Sequence, residues 1–291
     1  MSAIEQAVPA ELMPFAHHYL DLDGTRIHYL DEGTGETLLL LHGNPAWSFL
    51  YRKIIAGLRG EFRCVAPDYP GYGLSSAGPR GYGYTPREHS AVIERFVDAL
   101  ELRNLTIMVQ DWGGPVGLGL AGRRPELVRE LIIGNTFAWP NDEIRIRIFS
   151  AIMGGPLGRA LTIGFNFVPR FFFWRGFAQP LAPAVREAYM APWRDRSRRR
   201  PATIGPKQLT AAADYLREVE AGLVGIADRP ALIVWGAKDF AFDSANRERF
   251  EAAFPAHRTI VYPGASHFLQ EDVGDQIALA FKSFRRDRAV E

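Results

Sequence analysis

The sequence predicts an α/β fold in which a mostly parallel central sheet, flanked by helices, is interrupted by a helical insertion. Two observations predict it. Short apolar runs rich in β-branched residues alternate with segments of helical spacing, the signature of successive βαβ units. That rhythm stops after Trp139, stays absent from Pro140 to about Ala213, and resumes at Ala231 to Trp235. One sheet carrying an insertion is more economical than two tandem domains. The expected division is a core over residues 1–139, a helical lid over 140–213 and the core again over 214–291.

The elements follow in order. His18 to Tyr29 alternates around the turn dipeptide Asp23-Gly24 and reads as an opening hairpin. Glu36 to Leu41 is a short apolar strand ending at His42-Gly43-Asn44-Pro45, and Trp47 to Leu58 follows with helical spacing. Phe62 to Ala66 is the next strand, closed by the Gly/Pro-punctuated loop Pro67 to Gly73. Thr85-Pro86-Arg87-Glu88 is a helix start, with Thr as N-cap, Pro first and Glu third, and Val92, Phe96 and Leu100 form its apolar stripe. Leu105 to Gln110 is a buried strand that breaks at Asp111 and passes through Trp112-Gly113-Gly114 into a helix of small apolar residues. Leu131 to Gly134, Ala231 to Trp235 and Thr259 to Tyr262 complete the strands.

Composition excludes several classes. At 291 residues, 47% hydrophobic and 23% charged, the chain is an ordinary globular protein with room for a sizeable core. Lys plus Arg is 34 against 33 for Asp plus Glu, and a net charge of +1 gives no reason to expect nucleic acid or an anionic membrane as partner. The single cysteine, Cys64, sits in an apolar run and reads as a buried, inert thiol in a reducing compartment. Met1 to Pro14 shows no secretory signal, and Ile163 to Phe177 is too short and too charged to span a bilayer, so a cytoplasmic protein is expected. Arg194 to Arg200, with five arginines, reads as a solvated loop. The lid's aromatics, Phe165 to Phe177, suit either a cover over an apolar pocket or simple packing onto the core.

In such sheets functional side chains stand at the carboxyl ends of strands. Those ends carry Asn44, Asp68, Asp111, Asn135, Asp239 and His267. Strand, sharp turn and helix around Asp111 form a nucleophile elbow, although an acid before a helix can also be only an N-cap. Asp111 as nucleophile, Asp239 as orienting acid and His267 as base fall in the α/β-hydrolase chain order.

Through His42-Gly43-Asn44-Pro45, Asp68 to Gly73, Gln110-Asp111-Trp112-Gly113-Gly114 and Ala265-Ser266-His267-Phe268, the chain resembles the haloalkane dehalogenases of the α/β-hydrolase superfamily. The likeness runs over nearly the whole core, and Asn in the first box with Asp-Trp at the elbow is its most specific part. It implies Asp111 as nucleophile, His267 as base, Asn44 and Trp112 as the halide-binding pair, a small haloalkane as substrate with water and halide ion, and no cofactor or metal. One branch places its acid after the strand ending here at Asn135. Asn carries no charge, so Asp239 is the expected acid, with Asp243 the weaker alternative. Another branch uses a lid tryptophan for the halide, which leaves Trp139 and Trp174 as further candidates. The nearest rival is an epoxide hydrolase, which shares the Asp elbow and would activate its substrate with lid tyrosines, here Tyr189 or Tyr215. A catalytically silent binding protein of the same fold is the alternative of a different class.

Overall fold

A computed structural model describes residues 3–289, so the outermost residues of the two expected core segments lie outside the described residues. Eight strands form one sheet in the order β1-β2-β4-β3-β5-β6-β7-β8. They are β1 (His17–Leu22), β2 (Thr25–Glu32), β3 (Thr37–Leu41), β4 (Arg63–Pro67), β5 (Leu105–Asp111), β6 (Val128–Thr136), β7 (Ala231–Gly236) and β8 (His257–Tyr262). The β1–β2 hairpin and the β2–β4 pair are antiparallel, and every other pairing is parallel. The helices are α1 (Ala3–Gln6), α2 (Arg52–Leu58), α3 (Pro86–Ala99), α4 (Gly113–Arg123), α5 (Ile144–Gly154), α6 (Pro156–Phe165), α7 (Phe167–Arg175), α8 (Pro183–Met190), α9 (Ile204–Ala211), α10 (Ala213–Gly222), α11 (Ser244–Ala253) and α12 (Leu269–Ala289).

β5 lies in the middle, paired with β3 on one side and β6 on the other, and all seven of its residues are buried. Parallel pairing with helices on both faces leaves no polar face, which is why the strand reads as a continuous apolar run. Leu105, Ile107, Met108 and Val109 are fully buried, each worth about 2 kcal/mol against exposure. From β3 the chain runs outward to β4, and from β5 it runs the other way to β6. The strand order therefore reverses between β3 and β5, and a crevice opens at the carboxyl ends of these two strands. Asn44 follows one and Asp111 ends the other.

The helix start at Thr85 forms a complete capping box, with Thr85 accepting from the Glu88 backbone N–H and Glu88 accepting from that of Thr85. Leu100, expected on that helix's apolar stripe, stands just beyond its end. The expected helix from Trp47 begins as a 3₁₀ turn, Ser48–Tyr51, and becomes α-helical only at Arg52. Helices α11 and α12 escaped the sequence reading, because their charged, weakly apolar stretches lack a strong stripe.

Between β6 and β7 the described elements are helical, and α5, α7 and α9 supply side chains over the crevice. The arginine run is not only a solvated loop. Arg198 donates to the carbonyls of Gly73 and Ser75, and Arg199 to those of Ile163, Gly164 and Trp193. Cys64 is a buried free thiol, pushed up to about 12 by burial.

Candidate active site

The elbow is built by close packing. Asp111 sits in the left-handed region at φ 49°, a conformation that a non-glycine residue holds only when its surroundings impose it. A side chain on Gly43 would run into the Asp111 carboxylate, and one on Gly113 into the Leu41 carbonyl. Glycine at both positions lets β3, β5 and α4 approach closely enough to hold the turn. The Thr136 hydroxyl donates to the Asp111 carbonyl at 2.6 Å and pins the strand end. Asp111 is not the cap of α4: the N-cap position belongs to Trp112, and no side chain caps it.

The Asp111 carboxylate accepts from the backbone N–H of Asn44 at 2.6 Å and from that of Trp112. His267, fully buried, holds Nε2 3.8 Å from Asp111 Oδ2. Its other nitrogen, Nδ1, lies 3.2 Å from both carboxylate oxygens of Asp239. Asp239 Oδ1 also accepts from the Ala241 backbone N–H at 2.7 Å. Burial raises the Asp111 carboxyl to about 6, against the opposing pull of His267 and the two N–H donors. For His267 burial acts to lower the pKa, but the Asp239 carboxylate, with Asp111 beyond it, prevails and raises it above its ordinary value.

Asn44, Asp111 and Trp112 line one cavity of about 210 Å³, walled by apolar side chains including Ile146, Phe149, Phe172, Phe240 and Phe242. Among the described residues no protein acceptor takes the Asn44 amide N–H₂ or the Trp112 indole N–H. The Asn44 carbonyl oxygen is taken, since Tyr72 donates to it at 3.0 Å. A carboxylate and two residues with free N–H donors thus line a largely apolar chamber, with the buried His267 imidazole beside the carboxylate.

Other sequence candidates lie elsewhere. Asp243 is partly exposed and paired with Arg145, away from His267. Asn135 is a clamp: its N–H₂ donates to Ser266 O at 2.8 Å and its oxygen accepts from Gly236 N, which ties the histidine loop to β6 and β7. Asp68 is fully buried, accepts from Ser48 N and Leu74 N and pairs with His28, whose proximity overcomes burial and holds the Asp68 carboxyl down at about 2. Neither candidate lid tryptophan lines the cavity: Trp139 packs on Phe250, and Trp174 is 75% exposed. The tyrosines of the epoxide reading also face away. Tyr189 donates to Glu271 at 2.7 Å beside Arg52, and Tyr215 donates to Pro115 O at 2.8 Å.

Of the aromatics between Phe165 and Phe177, only Phe172 reaches the cavity; Phe173 and Phe177 pack onto Tyr189 and Phe268. The sequence reading missed Phe149, Phe240, Phe242 and Tyr72. The stretch Phe240-Ala241-Phe242 directly after Asp239 was the available signal for two of them.

The chain is similar to known proteins over most of its length. The family model described as the alpha/beta hydrolase fold matches residues 36–272. The chain is 43% identical to haloalkane dehalogenase 2 of Mycobacterium tuberculosis, over 93% of this chain and 95% of that protein. It is 33% identical to a cis-3-alkyl-4-alkyloxetan-2-one decarboxylase of Shewanella oneidensis, over 94% of this chain and 89% of that protein. Among solved structures, the haloalkane dehalogenase DatA of Agrobacterium tumefaciens superposes with a TM-score of 0.85 at 26% identity, covering 95% of this chain and 98% of that one. Fold, family match and relatives converge: the chain belongs to the haloalkane dehalogenase family of α/β-hydrolases, enzymes that act on carbon–halide bonds.

Proposed function

We propose that the chain hydrolyses haloalkanes to an alcohol, a halide ion and a proton through a covalent ester on Asp111. The observation that carries this reading is the pair of free N–H donors, Asn44 Nδ2 and Trp112 Nε1, in the same small cavity as the buried carboxylate. A halide leaves as an anion and needs no proton, so it calls for N–H donors in a dry chamber rather than a general acid. Asp111 attacks the halogen-bearing carbon from behind; the carbon–oxygen bond forms as the carbon–halogen bond breaks, and the halide departs toward Asn44 and Trp112. His267, oriented by Asp239, then takes a proton from water that attacks the ester carbonyl carbon. The backbone N–H groups of Asn44 and Trp112 receive the oxyanion of that step. The products are the alcohol, free Asp111 and a proton passed from His267 to solvent.

The lid is assigned to residues 140–213, with α10 returning to the core through Tyr215. The lone thiol Cys64 suits a cytoplasmic setting. Halide release from 1-chlorobutane and 1,2-dibromoethane, with styrene oxide as the epoxide control, tests the reading. Diol formation without halide release would reject it.

A second reading draws on the similarity to the oxetanone decarboxylases. The same carboxylate can attack the strained ring carbon of a four-membered lactone and expel its carboxylate, after which loss of CO₂ would release an alkene and free Asp111. The cavity of about 210 Å³ favours compact haloalkanes over a lactone bearing two alkyl substituents. Alkene and CO₂ production from a cis-dialkyl lactone, measured beside halide release, separates the two.

A further inference from the structure

We infer that the outer face of the lid docks on the surface of an anionic lipid bilayer. The near-zero net charge conceals a division. Residues 140–213 hold 12 Lys and Arg against 4 Asp and Glu, whereas the rest of the chain holds 22 against 29. The lid is therefore strongly cationic on an anionic core. Two of its exposed arginines have carboxylate partners, Arg145 with Glu143 and Asp243 and Arg194 with Glu187. Among the described residues Arg147, Arg159, Arg170, Arg175, Arg186 and Lys207 are exposed and have none.

The lid surface is also apolar where it should be polar. Of nine large hydrophobic side chains exposed among the described residues, six are on the lid: Ile144, Ile148, Ile152, Leu157, Phe165 and Trp174, each 52–75% exposed. Ile144, Ile148 and Ile152 recur every fourth residue and make one outward stripe along α5, while Ile146 and Phe149 of the same helix line the Asp111 cavity. Beside α5, an open groove of about 1110 Å³ runs between α6, α7 and α8, where Phe165, Trp174 and Met190 mix with Arg170, Arg186 and Arg194.

Among the described residues no single helix is long and apolar enough to cross a membrane; the α5–α6 pair has the length and hydropathy together but bends by 50°. An exposed apolar surface with cations mixed among it, most of them without a carboxylate partner, matches the interface of a bilayer rather than its interior, with apolar side chains among the acyl chains and guanidinium groups at lipid phosphates. Because α5 is both the docking stripe and the outer wall of the cavity, docking brings the cavity against the phase in which apolar compounds concentrate.

The test is flotation of the full chain with vesicles of phosphatidylcholine alone and of phosphatidylcholine with phosphatidylglycerol. Binding should favour the anionic vesicles by about tenfold or more and be lost in high salt. Arg170→Glu with Arg186→Glu should weaken it by about tenfold or more. Trp174→Ala should weaken it without abolishing the salt dependence. All three substitutions should leave halide release from dissolved 1-bromobutane unchanged. Equal binding to neutral vesicles, no binding to anionic ones, or a charge-reversed variant that binds as before overturns the inference. A salt-resistant dimer in sedimentation velocity, broken by Ile148→Asp and accompanied by no vesicle binding, overturns it in favour of a second copy of the chain.

Discussion

The Tyr72 hydroxyl donates to the Asn44 side-chain oxygen at 3.0 Å, and that bond engages the acceptor end of the amide and leaves its N–H₂ as the free end. An asparagine amide can present a donor or an acceptor to a ligand, and only the donor suits an anion. Tyr72 is buried, 3% exposed, and lies in the loop after β4, far in sequence from both β3 and the elbow. Tyr72→Phe should therefore weaken halide binding about tenfold, the worth of roughly one hydrogen bond. Halide product inhibition and kcat/KM report this together. Unchanged halide affinity would mean that the amide is oriented by something else.

Asp111→Asn should abolish halide release while folding stays cooperative. The same variant tests the cost of the buried carboxylate. Its folded pKa of about 6 lies above the ordinary 3.8, so the stability associated with the protonated form is complete below about 3.8 and is lost as pH rises through about 6. Above pH 6 the ionised group should cost about 2–3 kcal/mol. Asp111→Asn should thus gain stability relative to the unsubstituted chain between pH 4 and pH 7 in denaturant titrations. A parallel pH dependence of the two proteins would argue against it.

Asp239→Asn leaves His267 without its charged partner 3.2 Å away and should lower steady-state turnover about 10³- to 10⁴-fold. Attack by Asp111 does not need the base, so about one equivalent of halide should still be released and the alkyl ester should accumulate, visible as a mass increase of the intact protein. Asp243→Asn should turn over normally, since Asp243 binds Arg145 on the surface. Full turnover by Asp239→Asn would reassign the acid.

The two chemical steps should respond differently to acid. Ester formation needs ionised Asp111 and should fall as pH drops through about 6. Ester hydrolysis needs neutral His267, whose pKa lies above its ordinary value, so it should fade at higher pH than the first step. Rapid-quench measurement of both steps should therefore find ester accumulating as pH falls toward 6. Both limbs coinciding would remove the separation.

Tyr189→Phe removes one donor to Glu271 in a buried pair with Arg52 and should cost about 1–2 kcal/mol of stability. Halide release should stay within about twofold, because Tyr189 does not line the cavity. A large loss of activity at unchanged stability would bring the lid tyrosines back into the chemistry.

The residues legible in the sequence were those whose positions follow from local pattern. Asp111, Trp112, Asn44, Asp239 and His267 each stand beside the end of a short apolar run, and a strand's end can be read without knowing its neighbours. Buried parallel strands, the elbow's glycines and the capping box at Thr85 are local in the same way. What only the tertiary structure decided depends on which distant segments pack together. Asp239 and Asp243 are four residues apart, yet one reaches His267 and the other Arg145, because the chain turns between β7 and α11. Tyr189 and Tyr215 looked equally available until Glu271 and the Pro115 carbonyl took their hydroxyls. Tyr72 lies within a motif that carried the resemblance, but its task could not be read there, since it depends on an amide 28 residues away. Side-chain direction in the helices between β6 and β7 is set by packing, and periodicity alone does not say which face meets the cavity and which meets solvent.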